Sequence, residues 1–122
     1  MYINYSMKIR TIYLKVTDFP ASIAFWEAFL EVEPAKLSDT WCEFPIGDSR
    51  LGLLLDDYGD EFSGSSCVPV FEYTDAELPE KIMRAKQLGA HTIVNGDEEK
   101  EIAGMVLLSP DGHEFEISAL HG

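Results

Sequence analysis

Positive charge is scarce in this chain. Its 122 residues hold 9 Lys and Arg against 22 Asp and Glu, a formal net charge of −13 at pH 7. Such a chain repels phosphate backbones and anionic bilayers, so nucleic acid and membrane surfaces are poor partners, whereas a cationic ligand is drawn in. Cysteine is scarce as well. Cys42 and Cys67 lie far apart and neither has a CxxC neighbour. That leaves a disulfide scaffold or a thiol redox motif unsupported, and reduced thiols in a cytoplasmic protein are the expectation. No apolar run approaches the roughly 20 residues of a membrane span. The opening stretch Met1 to Lys8 lacks the basic and then apolar order of a signal peptide. With 9 Gly and 6 Pro, collagen-like and low-complexity classes drop out too.

What is present suits one soluble α+β domain over residues 1–122, with 46% apolar and 25% charged residues. Residues 9–16 alternate, with Ile12, Leu14 and Val16 on one face and Thr11, Tyr13 and Lys15 on the other. Asp18 and Pro20 then mark a helix start, Ile23, Trp26, Phe29 and Leu30 form its apolar stripe, and Pro34 is its expected stop. Strands are expected near 34–37, 41–46 and 50–55. A polar acidic loop at 56–66 separates this first β-α-β-β-β unit, about 8–56, from a second one at about 67–119. There the programme restarts: a strand at 68–73, a cap at Thr74-Asp75, and a helical stripe Leu78, Ile82, Ala85 and Leu88 ending at Gly89. Strands near 91–94, 103–108 and 113–119 follow, the last two joined by the turn Ser109-Pro110-Asp111-Gly112. Val16-Thr17-Asp18 and Tyr73-Thr74-Asp75, 57 residues apart, mark the internal repeat.

These residues carry a family likeness. Val16-Thr17-Asp18 followed by Ser22-Ile23-Ala24-Phe25-Trp26 is similar to a V-x-D and S-I-x-F-Y pattern, and Ser109 to Ile117 is similar to D-P-D-G-N-x-x-E-L. Spaced around a repeat, they resemble the vicinal oxygen chelate superfamily, which includes glyoxalase I, extradiol dioxygenases, and fosfomycin- and bleomycin-resistance proteins. The resemblance implies two tandem β-α-β-β-β units whose curved mixed sheets surround a ligand cavity, with helices outside. It also implies a homodimer.

Metal-dependent members of that superfamily place His or Glu on the first and last strands of each unit. Carried onto this chain, the four positions fall at Thr11, near Leu53, at Val68 and at Glu116. Only Glu116 is a donor for a divalent ion, so no metal or other cofactor is expected. His91, His113 and His121 read as turn or surface residues. If Thr11 and Glu116 face the cavity, alternation also aims Tyr13 and Lys15 inward, with Val70, Glu72 and Glu114 on the second unit. Trp41, Phe44 and Tyr58 lie near strand ends where they could line it.

Carboxylates beside aromatic rings suit a cation. The expected ligand set is Tyr13, Trp41, Phe44, Glu72, Glu114 and Glu116, holding a cationic, aromatic-containing small molecule without bond making, a bleomycin-like antibiotic being one version. Blander readings stay open: Trp41 and Phe44 as plain core, Glu72 with Lys15 as a structural ion pair, the acidic runs as solvated loops. So do two other functions, a metal-dependent lyase or isomerase of glyoxalase type and a non-catalytic dimeric interaction protein.

Overall fold

A computed structural model describes residues 9–56, 68–95 and 104–119. Most of the acidic loop, Tyr58, Cys67, the acidic run 97–101 and His121 lie outside them. The first unit runs β1 (Thr11–Val16), α1 (Phe19–Leu30), β2 (Lys36–Leu37), β3 (Trp41–Ile46) and β4 (Ser49–Leu55). The second runs β5 (Val70–Tyr73), α2 (Leu78–Gln87), β6 (His91–Asn95), β7 (Gly104–Leu108) and β8 (Glu114–Ala119). Each unit makes a four-stranded sheet of the same topology, ordered β1-β4-β3-β2 and β5-β8-β7-β6. In each, the first strand pairs parallel with the last and the remaining pairs are antiparallel. The two units are therefore tandem copies of one α+β design, as the repeat implies.

Local chemistry sets the helix boundaries. Asp18 caps α1, its carboxylate accepting from the Ala21 amide at 3.3 Å. The helix ends before Pro34 can act, because Glu31 turns left-handed at φ 57° and closes the last turn onto the Glu27 carbonyl. The second helix starts later than expected. Thr74 receives the Glu77 amide at 3.2 Å and donates to the Glu77 carboxylate at 2.8 Å, which organises a turn rather than the helix. Pro79 decides the start: lacking an N–H, it fits the first helical turn, so α2 begins at Leu78.

The helices differ in burial. α1 buries Phe19, Ser22, Phe25, Trp26 and Phe29, whereas α2 buries only Ala85. The reason is composition: α1 carries one charge, Glu27, in twelve residues, while α2 presents Glu80, Lys81, Arg84 and Lys86. α1 covers the first sheet and also meets Phe71 of β5 and Phe115 of β8. Trp26 lies 5.2 Å from Phe115 and 6.2 Å from Phe71, centre to centre. One core thus serves both units. Polar clasps reinforce it: the Trp26 indole donates to Asp111 at 3.0 Å, and His113 Nε2 donates to the Lys15 carbonyl at 2.7 Å. His113, expected as a turn or surface residue, is 2% exposed. No helix among the described residues is long and apolar enough to cross a membrane.

A third clasp joins the helices. The Glu31 carboxylate is bound by Lys81 and, at 3.1 Å, by Arg84. The Lys81 hydrogen bond, then its charge, hold the Glu31 carboxyl below its ordinary value of 4.5. A depressed folded pKa means that this contribution is present above the unfolded value and is lost as pH falls through the folded one. Glu31→Gln is therefore expected to lower the melting temperature at neutral pH and to converge with the wild type as acidification carries the pH down through the folded-state value. A gap that does not close on acidification would show that the carboxylate acts by packing alone.

Candidate functional site

Strand alternation divides each sheet into a core face and an open face. In the first sheet, Leu14, Cys42, Phe44, Leu51 and Leu53 point to the core and are 3% exposed or less. Thr11, Tyr13, Lys15, Trp41, Glu43, Arg50, Gly52 and Leu54 belong to the open face by register. Phe44 is thus corrected: expected on the cavity, it is fully buried opposite it. On one strand Trp41 and Phe44 have unlike parity, so they cannot share a face. Trp41 and Glu43 can. Cys42 shares the core with Phe44, where burial pushes its free thiol up to about 11.

A built cluster occupies the open face of the first sheet. The Trp41 ring reaches over Gly52 of the adjacent strand β4, close enough that a Cβ there would sit 2.5 Å from the ring. Only glycine leaves room for that indole. Its Nε1 donates to Glu43 Oε2 at 2.8 Å, and its ring meets Tyr13 edge-on at 5.6 Å. The other Glu43 oxygen takes Arg10 at 3.1 Å and Arg50 at 3.7 Å. Glu43 is 3% exposed, and the indole hydrogen bond, followed by Arg10, holds its carboxyl below the usual range. Glu43, Arg10 and Arg50 escaped the sequence reading. The parity of Trp41 and Glu43 on one strand was the signal available for the first; the arginines become visible only through the β1–β4–β3 register.

In the second sheet the open face carries Val70, Glu72, Glu114, Glu116 and Ser118. Glu72 is exposed and Glu114 and Glu116 are half-buried. None of these carboxylates forms an ion pair with a described residue, and the Lys15–Glu72 pair does not form. The structure therefore keeps five of the six expected ligand residues on open faces, two aromatics on one sheet and three carboxylates on the other.

Register also corrects the metal positions. Tyr13 pairs with Gly52 as Val70 pairs with Glu116. The counterpart of Glu116 in the first unit is Gly52, not Leu53, whose side chain is in the core. Thr11, Gly52, Val68 and Glu116 offer one carboxylate between them, and the place of a side chain at Gly52 is filled by Trp41. Among the described residues no group of three His, Cys, Asp or Glu could hold a metal. These residues do not fit the family's divalent ion.

The repeat, its topology and the register agree with one family model, that of the glyoxalase-like domain, which matches residues 11–118. The chain belongs to the glyoxalase-like domain family. Solved structures share the fold of this glyoxalase-like domain. A protein from Agrobacterium tumefaciens is 23% identical with a TM-score of 0.78, covering 95% of this chain and 99% of that one. A glyoxalase-related enzyme from Fulvimarina pelagi is 17% identical with a TM-score of 0.73, covering 93% and 88%. A variant of the fosfomycin resistance protein FosX from Listeria monocytogenes, complexed with Mn(II) and a dihydroxypropylphosphonic acid, is 20% identical with a TM-score of 0.73, covering 94% and 90%. No curated protein matches the chain.

Proposed function

We propose that this glyoxalase-like domain binds and sequesters a cationic, aromatic-containing small molecule, a bleomycin-like antibiotic being one candidate, without metal and without bond making. One observation carries the reading: Glu72, Glu114 and Glu116 share an open face with no described cation to neutralise them. Carboxylates without a described cation in a chain of net charge −13 attract a positive ligand, and exposed Tyr13 beside Trp41 offers ring surface for its aromatic part. The open face also exposes Val68 and Val70, at 37% and 53%, which suits closure by a second copy and hence a homodimer. The second reading is a metal-dependent enzyme, favoured by the likeness to FosX with Mn(II) and opposed by the single donor among the four family positions.

Thermal shift on chelator-stripped protein separates the two, since any ligand of the native state raises the melting temperature by mass action. Benzyltrimethylammonium and metal-free bleomycin are expected to stabilise the wild type saturably, less at high salt, and to lose that effect in Glu72→Gln/Glu116→Gln. Saturable stabilisation by Mn(II) or Zn(II) with none by the cations would sink the proposal in favour of the enzyme.

A further inference from the structure

We propose that the open face of the first sheet is an oxyanion site, with Arg10 and Arg50 binding the carboxylate or phosphonate of an aromatic small molecule and Tyr13 with Trp41 flanking its ring. The inference stands on the first sheet alone; it gives the Tyr13 and Trp41 rings to an anion and does not need the carboxylates of the second sheet.

Charge is the first support. Two guanidiniums converge on one buried carboxylate, so this cluster keeps a surplus positive charge in a chain of net charge −13. Preorganisation is the second. Glu43 is locked by the Trp41 indole at 2.8 Å and in turn holds both arginines, which lowers the entropy lost when they capture a ligand. Each guanidinium carries five N–H groups. The contacts seen engage two nitrogens on each: Arg10 with Glu43 and Thr11, Arg50 with Glu43 and the Ser49 carbonyl. Their side chains remain 58% and 35% exposed, so the planar forks that match carboxylate and phosphonate oxygens are reachable from solvent.

The third support is the aromatic wall. Tyr13 is 51% exposed while standing edge-on to Trp41, a rigid ring surface directly across the sheet from side-chain-free Gly52. An anion with an aromatic body would place its charge at the arginines and its ring there.

The chain has two tryptophans, which makes the test internal. In proton–nitrogen correlation spectra of the whole chain, the Trp41 indole reports on the cluster and the buried Trp26 indole serves as reference. Benzoate and phenylphosphonate are titrated separately, beside inorganic phosphate and benzyltrimethylammonium. At least one aromatic anion is expected to shift the Trp41 indole saturably, leave Trp26 in place and bind more tightly than phosphate; the tighter of the two identifies the oxyanion. Arg50→Gln should weaken that binding roughly tenfold, and Tyr13→Ala, outside the ion pair, should weaken it several-fold with the fold intact. No saturable shift with either aromatic anion, or binding by Arg50→Gln and Tyr13→Ala as tight as by the wild type, overturns the proposal. If benzyltrimethylammonium stabilises the chain while both anions fail, this site falls and the cation reading stands; the reverse result removes the cation reading and keeps this one.

Discussion

Trp26→Ala is expected to cost about 3–5 kcal/mol, a large part of the stability of a domain this size. Trp26 is 0% exposed and sits among Phe25, Phe29, Phe71 and Phe115, with ring centres 5.0 to 6.2 Å away. Removing it leaves a cavity at the junction of the two units and also strips Asp111 of its indole donor. Trp26→Phe keeps most of the volume and loses the hydrogen bond, so it should cost about 1–2 kcal/mol. Urea unfolding checks both. The wild type should unfold in one transition, and the alanine variant should show a lower midpoint and a shallower or divided transition as the units uncouple. A midpoint within error of the wild type would mean that α1 does not hold the units together.

The second large effect lies in the second sheet. A Cβ at Gly104 would fall 2.1 Å from the Ile117 carbonyl oxygen and 2.7 Å from the Ser118 Cβ. The obstruction includes backbone, so β7 and β8 must separate where they pair and Ser118 must move. Gly104→Ala is accordingly expected to lose about 3 kcal/mol, near the upper end for overpacking, read as a drop in melting temperature of order 10 °C. Loss of the open face should accompany it, since Glu72, Ser118 and Gly104 share one row of the sheet. An unchanged melting temperature would show that the two strands have room to spare.

Much of the architecture was legible in the sequence because it is written in local chemistry. Alternation placed Leu14 and Val16 on the core face of β1, helical spacing placed Trp26 and Phe29 together, and the 57-residue offset exposed the repeat. Predictions failed where one residue competed with another for a boundary. Pro34 looked like the helix stop, yet Glu31 ended α1 earlier by turning left-handed, with its amide closed onto the Glu27 carbonyl. Thr74 looked like a cap, but Pro79 dictated where α2 could begin. In the site, Phe44 was grouped with Trp41 by proximity although strand parity separates them, and Leu53 stood in for Gly52 because the register between β1 and β4 was unknown.

By itself the sequence determined the fold class, the tandem units, the family likeness and the shortage of metal donors, since composition, periodicity and motif spacing are properties of the chain. Tertiary structure alone decided which side chains meet. Arg10 stands just before β1, Glu43 on β3 and Arg50 on β4, and parallel and antiparallel pairing brings the two arginines to one carboxylate whose other oxygen takes the indole that reaches over a glycine. No local pattern encodes that register. It follows from burying Leu14, Cys42, Phe44 and Leu53 against α1, because shifting any strand by one residue would turn its apolar face to water.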